Sequence, residues 1–243
     1  MDLSGKIALV TGGAVRLGRA HTLALAGRGM RVVIHYNSSS GDADALVGEI
    51  RGKGGEAVAI GADLSKGGEV ERLAREAADA FGGVDVLVNN ASVFPAERLE
   101  ETDEALWDHT LAVNLKAPFL LIRHLAPTLR ERRGCVVNMC DLAGVQTWAA
   151  YAAHGVAKAG LAHLTRVAAR SLAPDARVNG IAPGAVLPPD SMGQDELDAL
   201  AKSTPLKRIG SPGDVTRALL YLVDADYVTG EILVVDGGRM LRG

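Results

Sequence analysis

Two side chains that could take part in proton transfer lie close together in the stretch Tyr151-Ala-Ala-His154-Gly-Val-Ala-Lys158. His154 and Lys158 are one helical turn apart, so on a helix they share a face. An imidazole can gain or lose a proton near physiological pH. A neighbouring ammonium group such as Lys158 disfavours the imidazolium, and a nearby carboxylate such as Asp141 favours it. If Asp141 is close enough, this segment can supply a general acid, which accelerates a reaction by about 10²–10⁴.

A second stretch, Thr11-Gly-Gly-Ala-Val-Arg-Leu-Gly18, has the glycine content of a phosphate-binding turn. It joins an apolar run to a helix whose N-terminal N–H groups can bind a pyrophosphate. Gly12 allows a tight turn, and Gly18 allows the helix to pack closely. Because the turn follows the first strand of a βαβ unit, it favours a dinucleotide site. The predicted cofactor residues here are Gly12, Arg16, Leu17 and Gly18.

The second strand ends in His35-Tyr-Asn-Ser-Ser-Ser40, which contains no acidic residue. NAD enzymes of this architecture commonly place a carboxylate there to bind the ribose hydroxyl. Tyr36 stands at that position and is followed by Asn37 and Ser38, so a 2′-phosphate would meet hydrogen-bond donors. We therefore predict NADP(H) as the cofactor. Residues 37–40 also have the composition of a helix-capping turn, and the two interpretations are compatible.

Short apolar runs alternate with amphipathic stretches from end to end. The predicted strands are 7–11, 31–35, 57–61, 84–89, 135–139, 177–181 and 231–235, and the predicted helices are about 17–28, 42–51, 69–81, 103–113, 116–131 and 148–172. This alternation predicts right-handed βαβ units on a sheet buried on both faces. We expect an α/β protein: a single-domain Rossmann fold over residues 1–243, with a doubly wound seven-stranded parallel sheet. The Pro- and Gly-rich stretch 182–194 is interpreted as a functional loop.

The composition argues against several classes of protein. A chain of 243 residues, 48% of them hydrophobic, fits one domain with a large core, and its net charge of −3 gives no reason to expect nucleic acid or membrane partners. Neither a membrane-spanning run nor a signal peptide is recognisable, so we expect a cytoplasmic protein. Cys135 and Cys140 are expected to be buried, reduced thiols. No metal site is expected, because the histidines lack ligand spacing.

Taken together, these motifs resemble the short-chain dehydrogenase/reductase family from about residue 5 to the C-terminus. The usual family turn is Thr-Gly-x-x-x-Gly-x-Gly, and Arg16 at the middle glycine is typical of the pteridine reductase branch. The resemblance implies that Arg16 lies near the cofactor phosphates and the substrate; a tolerated surface arginine is the alternative. Other matches are Asn89-Asn-Ala-Ser92 and Val235-Asp-Gly-Gly238. The resemblance implies further cofactor contacts at Asp63, Leu64, Asn90, Ala91, Lys158, Pro183 and Gly184.

The segment Ser92-Val-Phe94 follows the double asparagine. In pteridine reductases a serine and a phenylalanine at these positions line the pterin site, so the resemblance implies that Phe94 stacks on the substrate. Offset stacking of aromatic rings contributes about 1 kcal/mol beyond area burial. The alternative is that Phe94 fills an edge of the core. The implied substrate contacts are Arg16, Ser92, Phe94, Asp141 and Tyr151.

The resemblance also assigns four catalytic positions: Asn114, Asp141, His154 and Lys158. In the family the asparagine holds a water, the lysine binds the nicotinamide ribose, and a tyrosine stands where His154 stands here. Asp141 keeps the spacing to this position that pteridine reductases show. Three alternatives remain open: His154 paired with Asp141 is the general acid, the cofactor binds but turnover is weak or lost, or Tyr151 supplies the proton.

The expected function is NADPH-dependent reduction of a C=N or C=O bond in a small molecule, similar to that of pteridine reductases, with His154 as candidate proton donor. The alternatives are reduction of a ketone or acyl-thioester, and a catalytically weak or inactive dinucleotide-binding protein. The resemblance further implies a homotetramer in which the helix around residues 152–169 packs against its symmetry mate. Its small residues, Ala153, Gly155, Ala159, Ala162 and Ala169, would permit that approach, although they could equally face the sheet.

Overall fold

The computed structural model describes residues 3–188 and 192–241, and in this part of the chain seven parallel strands form one sheet. The strands are β1 (Ile7–Val10), β2 (Arg31–Tyr36), β3 (Ala57–Gly61), β4 (Val86–Asn89), β5 (Cys135–Met139), β6 (Arg177–Pro183) and β7 (Ile232–Val235). Their order in space is β3-β2-β1-β4-β5-β6-β7. The order reverses between β1 and β4, which opens a crevice at the carboxyl ends of these strands. The predicted doubly wound α/β fold is confirmed.

Helices cover both faces of the sheet. In the described residues they are α1 (Arg16–Gly27), α2 (Ser40–Gly52), α3 (Gly67–Phe81), α4 (Glu104–Leu111), α5 (Ala117–Glu131), α6 (Ala152–Leu172), α7 (Gln194–Lys202) and α8 (Pro212–Asp224). The sequence analysis missed α7 and α8. The start of α8 carried a readable signal, because Ser211 and Asp214 form a capping box before an apolar helix.

Alternate residues of each strand point to opposite faces, so the sheet contributes to two cores. Val10 and Ile34 pack into the core under α1, α2 and α8, which also buries Leu219. Leu9 and Leu87 pack into the opposite core, under α3, α5 and α6. Burial on both faces explains why the strands read as continuous apolar runs in the sequence.

The structure corrects two helix predictions. Helix α6 begins at Ala152 instead of near residue 148, and Tyr151 lies at its N-cap. The two helices predicted over 103–131 are joined without a break by a π-helical turn, Ala112–Lys116. This turn carries the predicted catalytic residue Asn114, and π turns inside helices occur frequently at functional sites.

The irregular stretch 182–194 is shorter than predicted, because β6 extends to Pro183 and α7 begins at Gln194. Residues 189–191 lie outside the described residues. Two described contacts connect the first part of the stretch to the fold: Val186 pairs with Gly210, and the Arg16 guanidinium donates a hydrogen bond to the Leu187 carbonyl.

Two further expectations concern burial and membranes. Cys135 and Cys140 are buried and free, as predicted. Within residues 3–188 and 192–241, no helix is long and apolar enough to cross a membrane.

Because one histidine, His21, is buried in the core, we expect the protein to lose stability in acid. His21 is fully buried, its Nδ1 lies 3.0 Å from the Thr216 hydroxyl, and burial lowers its pKa from 6.5 to about 4. The unfolded chain binds this proton near pH 6.5 and the folded chain only near pH 4. The neutral, buried ring therefore stabilises the fold fully above pH 6.5. This contribution, about 3 kcal/mol, is lost as the pH falls from 6.5 to about 4. Burial lowers the pKa of His35 as well, which adds a loss of the same sign.

Urea unfolding of the wild type and of His21→Met, from about pH 7 to about pH 4, measures this effect. This range spans the ordinary pKa of histidine and the lowered pKa of His21. We expect a clearly flatter dependence of the unfolding free energy on pH in the variant, because its side chain does not titrate. His163→Gln, at an exposed position of α6, is the matched control and should keep the wild-type slope. Equal slopes in wild type and His21→Met would contradict the assignment.

Candidate functional site

One cavity of about 460 Å³ lies at the carboxyl ends of the central strands. It runs from the turn after β1 to the start of α6. Of the predicted site residues it is lined by Gly12, Arg16, Leu17, Gly18, Tyr36, Asn37, Ser38, Asp63, Leu64, Asn90, Ala91, Ser92, Phe94, Asp141, His154, Lys158, Pro183 and Gly184. Asn114 and Tyr151 are not part of its lining, but each contacts a lining residue: Asn114 bonds to Val93, and Tyr151 stacks on Phe94. Residues far apart in the sequence, between positions 12 and 186, therefore meet at the crevice that the strand order predicts.

The turn after β1 forms a cradle for an anionic group. Gly12 has a φ of +58°, in the left-handed region that favours glycine. A Cβ on Gly18 would lie 1.9 Å from the Gly12 carbonyl oxygen, so only glycine allows this approach. In the described structure no side chain caps the N-terminus of α1, and its first turn contains no acidic residue. Its free N–H groups are therefore available to a phosphate.

Two polar side chains brace this cradle. The Asn90 side-chain amide donates to the carbonyl oxygens of Thr11 at 2.9 Å and Gly12 at 3.2 Å. Nδ1 of His35 accepts from the Gly12 N–H at 3.0 Å, and Nε2 lies 3.0 Å from the carbonyl oxygen of Ala62. These partners require a neutral ring that carries its proton on Nε2, and burial, which lowers the pKa of His35, favours that form. The sequence analysis missed this brace, although a histidine at the end of a buried strand was a signal.

The far end of the cavity has the groups predicted to select the cofactor. The Tyr36 ring covers the backbone of Gly61, where an added Cβ would lie 3.0 Å from the ring. Ser39 is the N-cap residue of α2, yet in the described structure its side chain makes no capping hydrogen bond. Its hydroxyl therefore remains available to a ligand. Hydrogen bonds from Ser65 lower the pKa of Asp63 to about 2, so this carboxylate is charged and held in its own turn.

Helix α6 presents a buried cation to the cavity. Lys158 is 3% exposed and its Nζ donates to the Met139 carbonyl oxygen at 2.7 Å. Burial lowers the pKa of Lys158, because the ammonium group loses solvation. A buried chain of hydrogen bonds holds the helix to the sheet: Asn89 donates to Asn138 at 2.8 Å, and Asn138 donates to Thr165 of α6 at 2.9 Å.

Asn114 fixes the backbone of the segment after β4. Its side-chain oxygen accepts from the Val93 N–H at 2.9 Å, and its amide nitrogen donates to the Val93 carbonyl oxygen at 2.8 Å. The Ser92 hydroxyl also donates to the Asn114 oxygen, at 3.1 Å. Asn114 is fully buried, so these bonds form away from water. The predicted catalytic asparagine therefore holds the segment that carries Ser92 and Phe94.

His154 lies at the meeting point of these elements. Its Nδ1 is 3.0 Å from the Val93 carbonyl oxygen and 3.3 Å from the Asn114 amide nitrogen. Its Nε2 is 3.5 Å from Oδ2 of Asp141 and has no hydrogen-bond partner among the described residues. The other oxygen of Asp141 accepts from the Ala143 N–H at 2.8 Å, which orients the carboxylate. The predicted pairing of His154 with Asp141 is present in the geometry.

Phe94 lines the cavity beside His154, and Tyr151 and Trp148, which are not lining residues, extend the aromatic cluster from Phe94. The Phe94 ring meets His154 edge-on at 4.4 Å and stacks on Tyr151 at 4.5 Å, and Tyr151 meets Trp148 at 5.9 Å. Phe94 is 51% exposed, so it does not fill the core. Tyr151, which stacks on Phe94, lies at the N-cap of α6.

The cavity also has lining residues that the sequence analysis did not assign to the site: Ala14, Val15, His35, Ser39, Val93, His109, Val113, Met139, Cys140 and Val186. Most lie next to a predicted residue in the chain, so adjacency was the available signal. His109 and Val113 reach the cavity from the other side, through α4 and the π turn, and only the tertiary structure brings them there.

The residues present fit a dinucleotide better than a metal ion. A glycine cradle, an uncapped helix N-terminus and a buried ammonium group can hold a diphosphate and a ribose. Among the described residues, no group of three or more His, Cys, Asp or Glu side chains could hold a metal ion.

Comparisons with known proteins agree with this geometry. The family model described as Enoyl-(Acyl carrier protein) reductase matches residues 13–239. The chain is 37% identical to the 3-oxoacyl-[acyl-carrier-protein] reductase FabG of Staphylococcus epidermidis, over 97% of this chain and 99% of that protein. Its structure is similar, with a TM-score of 0.94 and 34% identity, to FolM alternative dihydrofolate reductase 1 from Brucella canis complexed with NADP; the match covers 100% of this chain and 96% of that chain. A blue fluorescent protein from a metagenomic library in complex with NADPH has a TM-score of 0.92 and 31% identity, over 98% of this chain and 99% of that chain.

Proposed function

We propose that this chain, which belongs to the short-chain dehydrogenase/reductase family, reduces a C=N or C=O bond of a small molecule in the manner of a pteridine reductase. It is an oxidoreductase whose cofactor is NADP(H), the ligand of its structural neighbours. The observation that carries the proposal is that one and the same cavity joins the glycine cradle to the His154–Asp141 pair and is lined by Phe94. When bound, the reduced cofactor supplies a hydride, and the protein must supply a proton.

Each group of residues has a distinct task in this proposal. Gly12, Gly18 and the N-terminus of α1 bind the pyrophosphate, and Asn90 holds their turn in place. Lys158 binds the nicotinamide ribose from its buried position, where Pro183 and Gly184 also line the cavity. A general acid held close to the reacting atom accelerates the reaction by a factor of about 10²–10⁴.

His154 is the proposed acid, because it lines the cavity and its Nε2 lies 3.5 Å from Oδ2 of Asp141. Tyr151 is a less favoured donor, since it does not line the cavity and its ring stacks on Phe94. The remaining alternative is a protein that binds the dinucleotide with weak or no turnover. Such a protein would keep every contact of the cradle and lack only the proton transfer, so measurable turnover would favour the reductase.

A flat heteroaromatic substrate fits the cavity wall at Phe94 better than a flexible one. The exposed Phe94 ring offers an offset stacking surface, with Ser92 and Asp141 beside it as hydrogen-bonding groups. Arg16 borders the same cavity as a cation. The similarity to a protein named an alternative dihydrofolate reductase supports a pterin. The second candidate is a ketone or acyl-thioester, favoured by the 37% identity to a 3-oxoacyl-[acyl-carrier-protein] reductase.

A substrate screen tests the proposal. NADPH consumption is followed with a dihydropterin, dihydrofolate, a simple ketone and an acetoacetyl-thioester. We expect a higher kcat/KM with the dihydropterin and dihydrofolate than with the ketone or the thioester, because both combine a C=N bond with a ring that Phe94 can stack on. A clear preference for the thioester would overturn the pterin assignment in favour of the second candidate. No turnover with any of the four would favour the non-catalytic alternative.

The dissociation constants of the two nicotinamide cofactors should differ. We expect NADPH to bind at least about tenfold more tightly than NADH. Residues 37–40, which follow β2, supply hydrogen-bond donors to the 2′-phosphate and contain no carboxylate that would repel it. Placing a carboxylate near the 2′-phosphate by Tyr36→Asp should raise the Kd for NADPH by about tenfold, which corresponds to 1.4 kcal/mol of repulsion. Tyr36→Asn removes the ring without adding a charge and is the matched control. Tighter binding of NADH by the wild type would refute the preference.

The proposed assembly is a homotetramer built on α5 and α6. Not all of the small residues predicted to form that contact are accessible. Ala153, Ala162 and Ala169 are buried in the chain's own core, whereas Ala159 is exposed. The outer surface of these helices presents other apolar side chains, including Phe119, Val156 and Val167, each about half exposed. These larger residues, with Ala159, are the proposed contact, and light scattering of the purified protein tests the oligomeric state.

A further inference from the structure

The hydrogen bonds around His154 restrict where its ring can carry a proton. The Val93 carbonyl oxygen, 3.0 Å from Nδ1, can only accept a hydrogen bond, so Nδ1 must donate. The Asn114 amide nitrogen, 3.3 Å from Nδ1, donates one of its two hydrogens to that same carbonyl oxygen at 2.8 Å. If it donated the other to an unprotonated Nδ1, two acceptors, Nδ1 and the Val93 oxygen, would face each other at 3.0 Å. The amide cannot be turned round, because its oxygen accepts from the Val93 N–H at 2.9 Å. The contacts are satisfied when Nδ1 carries a hydrogen and points it at Val93.

This assignment leaves Nε2 as the nitrogen that can exchange a proton. In the neutral ring Nε2 then bears a lone pair, and it faces Oδ2 of Asp141 at 3.5 Å without a hydrogen-bond partner among the described residues. Two acceptors face each other, and one added proton would satisfy both. The His154 side chain is 2% exposed and that of Asp141 24%, so a proton can reach the pair from the cavity side.

We propose that the Val93 carbonyl, held by Asn114, locks His154 in the Nδ1–H tautomer, so that the ring can give a proton from Nε2 only as an imidazolium paired with Asp141. The last step rests on the proposed function, and the tautomer itself does not. Asn114 is a positioning residue in this scheme, because it acts on the ring through the Val93 backbone. A phenol is neutral in its donating form, whereas this donor is charged and needs its counter-ion.

The proton balance follows from this arrangement. As the substrate receives a hydride from NADPH, the Nε2–H bond breaks and an O–H or N–H bond forms on the substrate. The ring returns to its neutral Nδ1–H form, and one proton taken up from solvent restores the imidazolium at Nε2 beside Asp141. No further oxidant or reductant is needed.

Charged and titratable groups from several elements lie near the ring. Those that surround His154 or line the same cavity are Asp141 and Cys140 after β5, Lys158 and Tyr151 from α6 and its N-cap, His109 from α4, and Arg16 from α1. Asp141 lies 3.5 Å from Nε2 and is the counter-ion that an imidazolium needs, while Lys158 and Arg16 are cations. Asp141→Asn removes this counter-ion, and we therefore expect it to lower kcat.

The direct test is nitrogen NMR of the full-length protein labelled with ¹⁵N-histidine, without cofactor or substrate. The chain has six histidines, and the His154→Gln variant identifies the signals of His154 by their loss. In the neutral ring we expect Nδ1 to show the shift of a protonated nitrogen and Nε2 that of an unprotonated one. A neutral ring with its proton on Nε2 would overturn the proposal.

The Asn114→Ala variant tests the positioning role. It releases the Val93 carbonyl, so we expect a measurable fraction of the Nε2–H tautomer to appear in its spectrum, a change that a merely structural role would not produce. An unchanged Nδ1–H ring in this variant would remove Asn114 from the scheme. If the variant does not fold, the wild-type spectrum still decides the tautomer. Absence of turnover together with an Nδ1–H ring would refute the reductase and leave the tautomer assignment standing.

Discussion

Replacing His154 by alanine is expected to lower kcat by a factor of about 10²–10⁴, which is the usual contribution of a positioned general acid. The dissociation constant for NADPH should change by less than about twofold, because His154 contacts Val93, Asn114 and Asp141 and none of the residues of the glycine cradle. The measurements are kcat with the best substrate of the screen and NADPH titration of the free protein. A large kinetic loss without a binding loss would identify a proton-transfer group.

Two variants sharpen this experiment. His154→Tyr restores the side chain that the family resemblance implies at this position, and we expect it to recover turnover relative to His154→Ala. Tyr151→Phe keeps the ring that stacks on Phe94 at 4.5 Å and removes only the hydroxyl, so it should retain nearly full activity. Full activity in His154→Ala would contradict the hypothesis that His154 is the proton donor. A large loss of kcat in Tyr151→Phe would instead identify Tyr151 as the proton donor.

The sheet was predictable from the sequence because its strands are buried on both faces. Continuous apolar runs such as 135–139 mark such strands directly, and the turns between them contain glycine. Helices α7 and α8 were not predicted from pattern alone, although α8 buries Val215 and Leu219 against the sheet. The predicted start of α6 is too early because Ala149 and Ala150 continue the alanine-rich composition of the helix; in the fold Trp148 and Tyr151 form an aromatic contact before the helix begins.

The candidate site was predictable as a set of residue types and not as a geometry. The spacing of Asp141 to His154 suggested a pair, and the structure brings the two side chains within 3.5 Å. The role of the Val93 backbone could not be read from the sequence, because any residue supplies the same N–H and carbonyl groups. The role of His35 could not be predicted either, since only the parallel register of β2 beside β1 brings its ring to the Gly12 N–H. Backbone partners and neighbours across the sheet are the information that a single sequence does not contain.

Replacing Gly18 by alanine is expected to raise the Kd for NADPH by about 10- to 100-fold. The added Cβ would lie 1.9 Å from the Gly12 carbonyl oxygen and 2.7 Å from the Asn90 side-chain nitrogen, so the turn that receives the pyrophosphate must move. Overpacking of this kind costs about 1–3 kcal/mol, and 1.4 kcal/mol corresponds to a tenfold change in affinity.

Gly27→Ala is the matched control for this substitution, because it makes the same chemical change in the same helix. At Gly27 an added Cβ meets no described atom within 4 Å, and alanine is favoured over glycine in helices by about 1 kcal/mol. This variant should bind NADPH with the wild-type Kd and unfold at an equal or higher temperature. Circular dichroism establishes that both variants fold, and titration with NADPH compares their affinities. Equal affinities for Gly18→Ala and Gly27→Ala would mean that the turn after β1 does not hold the cofactor, and the binding site would have to be sought elsewhere in the cavity.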